Sequence, residues 1–351
     1  MSLEGGLLGG GTGGGTGGGT GGGTGGGTGG GTGGGTGGGT GGTFGDAFAT
    51  PVISDALNRH RGACIDPDDL SARSLPQRED ASTHDHIKRW EPWVRSYVCS
   101  QSLISSLRFH VYGKNGESPA SQDKIPGWQE GAFIVTLGTQ LARRGGGAGK
   151  EVRLATLVRP PATLFEEQIP GVLDWADLRE ERAPEILAQI CNIYAFWGSV
   201  VPIHTDRLRF TREIVDAAVQ LAMFVEMRFK HEMACFRPAD LSAQVQPMIT
   251  TPGHGAFPSG HCVEAYVIKE VLQALLGVRY DEPKHNGVRT QFSRIAARIA
   301  TNRVVAGVHF PVDNLAGRLL GTVLGRYFVF CCDPDRKDGT LPPFHEGAFL
   351  G

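Results

Sequence analysis

The chain lacks a run of 18 apolar residues, a Cys-x-x-Cys pair and a basic stripe, and it has few strand-forming segments. Each absence excludes something. Val215–Val225 is interrupted by Asp216 and Gln220, and Leu315–Cys332 by Arg318 and Arg326, so no transmembrane segment is expected. No basic n-region followed by an apolar h-region opens the chain, so no secretory signal is evident and a cytoplasmic location is expected. The seven cysteines (Cys64, Cys99, Cys191, Cys235, Cys262, Cys331 and Cys332) are scattered and odd in number, which fits buried thiols in a reducing compartment better than a disulfide framework. Net charge is −2 with both signs interspersed, which argues against nucleic acid as a partner.

What is abundant at the start is glycine. From Gly9 to Thr40 the sequence repeats Gly-Gly-Gly-Thr with no apolar side chain, and residues 1–43 hold 28 of the 53 glycines. Nothing there can offset backbone entropy, so the tract reads as a flexible, disordered tail, with residues 44–351 as a single domain. The tract matches Gly-x-Gly-x-x-Gly literally, but no strand precedes it and no helix pattern follows. Gly145–Lys150 imitates a P-loop and fails it twice, with Arg144 where glycine is needed and Glu151 where Ser or Thr is needed.

Phe44–Asp80, rich in Asp, Arg, Ser and Pro, reads as a loose surface segment. Helical spacing of apolar residues appears over His86–Leu107, Trp128–Leu141, Glu180–Trp197 and Thr211–Cys235, the last stopped by Pro238; Leu164–Trp175 is ambiguous. Thr250–Pro258 is a loop, Ser259 or Gly260 opens a helix to about Leu276, Gln291–Val308 forms another, and Asp313–Phe330 follows after Pro311. The fold class expected is all-α, a helical bundle.

Three stretches carry chemistry. Lys230 is followed, after six intervening residues, by Arg237-Pro238; Pro258-Ser259-Gly260-His261 comes next; Arg303 is followed by His309 and Asp313. Taken singly each has a bland reading: a surface ion pair, a helix N-cap at Ser259, a structural histidine. Together, within 84 residues, they bring three cations, two imidazoles, a hydroxyl, a glycine amide and a carboxylate. That set suits an oxyanion with two or three negative charges, held by charge-assisted hydrogen bonds at a helix N-terminus. Asp313, four residues after His309, can take the proton of one ring nitrogen and fix the tautomer.

This order and spacing resembles the signature of the type 2 phosphatidic acid phosphatase and vanadium haloperoxidase superfamily, over roughly residues 180–330. One departure is Asn302-Arg303, where the family has Ser-Arg. The resemblance implies a bundle of the acid phosphatase/vanadium haloperoxidase type and, given the lack of apolar spans, one of the soluble branches. It implies that Lys230, Arg237, Ser259, Gly260 and Arg303 bind the oxyanion, that His309 bonds directly to phosphorus or to vanadate as the metal ligand, and that His261 is the acid–base partner.

Two activities follow from the resemblance. In a haloperoxidase, vanadate is the cofactor and hydrogen peroxide and a halide are the substrates. In an acid phosphatase, no cofactor is required and a phosphomonoester is cleaved through a phosphohistidine at His309. His254, seven residues before His261, resembles a histidine of algal bromoperoxidases, and the helical stretches upstream of residue 180 imply a two-bundle body, so the haloperoxidase is preferred. A non-catalytic oxyanion-binding scaffold would have lost an imidazole, and both are present. His60, His204, His231 and His345 have no assigned role, His84 and His86 lack metal-ligand partners, and homo-oligomerisation is left open.

Overall fold

The computed structural model describes residues 29–34, 36–39, 90–113, 132–140, 151–191, 193–203, 207–278, 283–333 and 348–349. The chain divides into two compact units, one of residues 1–90 with 187–193 and one of residues 91–186 with 194–351. In the first, β1 (Gly29–Gly34) and β2 (Thr36–Gly39) pair antiparallel within the glycine–threonine tract read above as a flexible tail. The boundary proposed at residue 43, the Phe44–Asp80 segment, and His60, His84, His86, His204 and His345 lie outside the described residues.

The second unit is mainly helical. Its helices are α1 (Pro92–Ile104), α2 (Ala162–Trp175), α3 (Arg179–Cys191, continuing into the first unit), α4 (Arg209–Met233), α5 (Gly260–Leu275), α6 (Asn286–Val305) and α7 (Pro311–Cys332). A small sheet accompanies them. β3 (Leu107–Tyr112), β4 (Ile134–Thr139) and β5 (Val152–Val158) form an antiparallel meander, and β6 (Ala348–Phe349) adds parallel to β5.

The sheet corrects one expectation. Trp128–Leu141 is not a helix: its Ile-Val-Thr-Leu-Gly-Thr segment is β4, all six residues buried. A short apolar run bounded by breakers is ambiguous between strand and helix, and β-branched residues buried on both faces decide for the strand. Before residue 180 the described segments are β1, β2, α1, the meander and α2.

Helix ends also moved for identifiable reasons. α4 stops at Met233, before Pro238, because Ala234 adopts a left-handed conformation (φ 48°) and returns its N–H to the Lys230 carbonyl. α6 ends at Val305 rather than Val308. Gly307 takes φ 80° and donates to the Val304 carbonyl, and Val308 donates to the Arg303 carbonyl. A side chain at 307 would be strained by that φ and would meet Arg179, so glycine here turns the chain towards His309. Proline at the first position of α7 begins that helix instead of interrupting it.

The sequence reading expected no membrane-spanning segment, because Arg318 and Arg326 interrupt the last apolar stretch. Among the described residues, Pro311–Cys332 is long and apolar enough to cross a membrane, with a mean hydropathy of 1.3 over 18 residues despite Arg318 and Arg326. Nearly half of that window is buried inside the protein, and core helices pass the same test. α7 is a core helix against α5. Gly317, Gly321 and Gly325 recur every four residues, and a Cβ on each would run into Cys262, the Val263 carbonyl and Glu270 respectively. This glycine stripe lets the two backbones approach closely, and that approach sets the start of α7 beside the start of α5.

Gly321→Ala should therefore destabilise the protein by about 1–3 kcal/mol through overpacking. Gly171→Ala in α2, where a Cβ meets nothing within 4 Å, should stabilise it by about 0.5–1 kcal/mol. Denaturant unfolding of both variants checks the opposite signs.

Candidate functional site

The three motif segments meet at one end of the helices. Lys230 lies in the last turn of α4, Arg237 in the connection after it, His254 in the loop before α5, Ser259, Gly260 and His261 at the start of α5, Arg303 near the end of α6, His309 between α6 and α7, and Asp313 in the first turn of α7. Lys230, Arg237, Ser259, Arg303, His309 and Asp313 are all buried, at 4 % exposure or less; His254 and His261 are half-buried.

Asp313 joins two of the segments. Its Oδ2 accepts the Phe310 N–H at 2.9 Å and lies 2.9 Å from His309 Nδ1, while its backbone carbonyl accepts the Ser259 N–H at 3.0 Å. On the other side of the ring, Arg237 Nη1 is 3.0 Å from His309 Nε2. A guanidinium has donors and no acceptor, so Nε2 must carry the lone pair and Nδ1 the proton. The tautomer is set from both sides. Burial, reinforced by Arg237, Lys230, His261 and Arg303, pushes the imidazole pKa well below its ordinary range. His309 therefore stays neutral and Nε2 stays nucleophilic.

The cations are held differently from the sequence expectation. Lys230 Nζ donates to the carbonyls of Gly255 (3.4 Å), Ala256 (3.3 Å) and Pro258. Arg237 donates to the carbonyls of His254 (3.1 Å), Val308 (2.7 Å) and Gly255 (3.3 Å) besides the two histidine rings. These side chains thus shape the 254–258 loop as well as charging the site. An oxyanion bonded at His309 Nε2 would inherit the Nη1 hydrogen that now points there. Arg303 Nη2 donates to the Ile186 carbonyl at 3.3 Å, and burial lowers its pKa to about 10.

Ser259 occupies the N-cap position of α5, yet its hydroxyl caps nothing. It is fully buried and its Oγ has no hydrogen-bond partner. A buried unpaired hydroxyl costs free energy unless a ligand oxygen takes it up. His254 Nδ1 is 3.2 Å from Arg237 Nη2 and also 3.2 Å from the Gly255 carbonyl. Burial and the adjacent Lys230 lower the His254 pKa to about 4, leaving a neutral ring at the edge of the site.

Asn302, which replaces the Ser of the familiar pattern, faces away. Its Nδ2 donates to Glu185 at 2.9 Å and its Oδ1 accepts from Arg182 at 3.3 Å, tying α6 to α3.

Two carboxylates escaped the sequence reading. Glu226 lies one turn before Lys230 and is 3 % exposed. A Cβ on Gly260 would come within 2.5 Å of its Oε1, so Gly260 is required for this approach, and Oε2 has no partner. Burial, opposed by Lys230 and Arg237, raises the Glu226 pKa to about 7. Glu264, one turn after His261, is pushed well above the carboxylate range by burial and by Glu226. Burial lowers Lys230 to about 8, against the pull of Glu226. The signal was present in the sequence, since each acid sits one helical turn from a motif residue on the same face.

The family model of the PAP2 superfamily matches residues 215–337, a span that contains all nine of these motif residues. Among solved structures, a bacterial vanadium-dependent iodoperoxidase matches with 19 % identity over 47 % of this chain and 48 % of that one, at a TM-score of 0.37. A transmembrane PAP2-type phosphatidylglycerolphosphate phosphatase from Bacillus subtilis matches with 20 % identity over 48 % of this chain and 76 % of that one, at a TM-score of 0.28. The chain spans about half the length of the iodoperoxidase. No curated protein sequence matches it.

The tautomer of His309 is directly measurable. Ring 15N shifts should report a protonated Nδ1 and an unprotonated Nε2 to a pH below the range where an ordinary histidine protonates. Asp313→Asn should disturb that pattern, and it should lower whatever activity the site has by about 10–100-fold.

Proposed function

We propose that the region binds a phosphate- or vanadate-type oxyanion against His309 Nε2 and works as a vanadium haloperoxidase-like enzyme, taking hydrogen peroxide and a halide. The observation that carries the oxyanion reading is the His309 ring itself, held with Nδ1–H on Asp313 and Nε2 towards Arg237. The donor set fits vanadate: three buried cations, the unpartnered Ser259 hydroxyl, the amides opening α5, and one neutral imidazole nitrogen. His309 would be its protein ligand. Bound vanadate would supply a Lewis-acidic centre that activates peroxide towards halide. Lys230, Arg237 and Arg303 would offset its charge, and Asp313 would keep the proton on Nδ1 throughout. The haloperoxidase preference rests on His254, whose neutral ring contacts Arg237 at the rim.

The second reading is an acid phosphatase acting through the same residues. In that case His309 Nε2 attacks phosphorus, the P–O bond to the alcohol breaks, and His261 protonates the leaving oxygen. Water then hydrolyses the phosphohistidine and His261 takes up its proton. The same cage serves both, since vanadate mimics the five-coordinate geometry of phosphoryl transfer.

A paired assay on the purified protein decides between them. Vanadate-dependent bromide or iodide oxidation by peroxide is expected, with His309→Ala abolishing it and His254→Ala impairing it far more than any release of phosphate from a phosphomonoester. No halide oxidation at any pH, with vanadate inhibiting phosphate release, would reverse the order of the two readings.

The site also predicts a pH dependence. Glu226 gains negative charge as pH rises through about 7, and Lys230 loses positive charge near 8. Phosphate and vanadate should therefore bind more weakly on crossing from about pH 7 to above 8. Glu226→Gln should remove the lower part of that decline and leave affinity at pH 6 unchanged, as titration calorimetry can measure.

A further inference from the structure

α6 ends where the site begins, and its last carbonyls are satisfied in two ways. Local turns take three of them: Asn302 accepts from the Ala306 N–H at 3.0 Å, Arg303 from Val308 at 3.2 Å and Val304 from Gly307 at 2.8 Å. The next two reach donors far away in sequence. Val305 accepts from Arg179 Nε at 2.8 Å, and Ala306 from the Met248 N–H at 3.0 Å. A helix C-terminus leaves such carbonyls over, and a cation placed there also meets the negative end of the helix dipole.

Arg179, the first residue of α3, also grips a second segment. Its Nη2 donates to the Val245 carbonyl at 2.8 Å and its Nη1 to the Gln246 carbonyl at 2.9 Å. Gln246 has a left-handed conformation (φ 40°) just after the short turn Ala243–Val245. One planar guanidinium therefore holds three carbonyls from two segments. Val305 is four residues before His309, and Gln246 is eight residues before His254. Gly307 lies against the same group, since a Cβ there would come 2.6 Å from Arg179 Nη2.

The rest of α3 continues the contact at about one-turn intervals. Arg182 Nη1 donates to Asn302 Oδ1 at 3.3 Å, Glu185 accepts from Asn302 Nδ2 at 2.9 Å, and the Ile186 carbonyl accepts from Arg303 Nη2 at 3.3 Å. Ile186 packs in one buried cluster with Val305, Ala306 and Val308. All of α3 precedes residue 215, where the match to the PAP2 model begins.

We infer that Arg179 is a positioning residue for His309, acting through the 305–308 turn. The far end of that turn bears on the ring. The Val308 carbonyl accepts from Arg237 Nη1 at 2.7 Å, and the same nitrogen lies 3.0 Å from His309 Nε2. Holding Val305 thus holds Val308, and Val308 holds the guanidinium that faces Nε2. Between them stands Gly307, at φ 80°. Glycine is the residue most free to change conformation, so the turn needs an outside clamp to stay in one form. A misplacement of the reacting nitrogen by about 1 Å costs on the order of 100-fold in rate.

Arg179→Lys is the main test, because it keeps the charge at the end of α6 but offers one nitrogen for three carbonyls in two segments. Arg179→Gln, which is neutral, is the second variant. Arg298→Ala is the control: it removes the 2.7 Å ion pair with Glu185, which also joins α6 to α3, without touching the turn. Circular dichroism of each full chain checks the fold. Ring 15N spectra of His309 are recorded without ligand, and inorganic phosphate is titrated by calorimetry. In Arg179→Lys the single protonated-Nδ1 pattern should give way to averaged shifts of the two ring nitrogens, with phosphate binding weakened about tenfold. Arg179→Gln should show both changes to a greater extent, and Arg298→Ala neither. Wild-type ring shifts in either folded Arg179 variant would overturn the inference, and so would an equal change in Arg298→Ala. The phosphate arm rests on the oxyanion reading; if the wild type binds no phosphate, that reading fails while the ring spectra still decide the role of Arg179.

Discussion

Asp313 is the point on which the site depends. Its side chain holds the His309 ring and the Phe310 amide, and its backbone carbonyl holds the amide of Ser259. One buried residue thereby fixes a tautomer, starts α7 and attaches the beginning of α5. This works only because α5 and α7 lie close enough for the two ends to meet, and the Gly317–Gly321–Gly325 stripe permits that approach. A larger residue in the stripe would separate the hydroxyl and amides of one motif from the imidazole of another.

The second constraint is electrostatic. Lys230, Arg237 and Arg303 are almost completely buried, and removing a cation from water costs several kcal/mol after relaxation. The protein offsets this with directed carbonyls from the 254–258 loop and the turn before His309, and with the carboxyl group of Glu226 when it is ionised. Glu226 titrates near neutrality beside Gly260, so the net charge of the cage is not constant. The loop carbonyls have a further effect. They orient Lys230 and Arg237 before any ligand arrives, which reduces the ordering cost of binding.

Much of the site was legible because its chemistry is local in sequence. The spacing from Lys230 to Arg237, the Ser259-Gly260-His261 turn and the i,i+4 relation of His309 to Asp313 all follow from single elements. Glu226 and Glu264 were equally local, one turn from motif residues, but acidic residues on helices are ordinarily solvated and nothing in the pattern marked these as buried. The β4 strand was misread because six buried apolar and β-branched residues satisfy either period. The role of Asn302 could be read only from its contacts with Glu185 and Arg182 on another helix.

By itself the sequence determined which groups are present, in what order, and on which helix ends they sit, because capping, breaker residues and 3.6-residue periodicity act over a few positions. Only the tertiary structure decided that Lys230 and Arg237 serve the loop carbonyls, that the Ser259 hydroxyl is left unpaired, and that two acids stand behind the cage. Those outcomes depend on which distant surfaces exclude water from one another, and burial is a property of packed elements rather than of any segment alone.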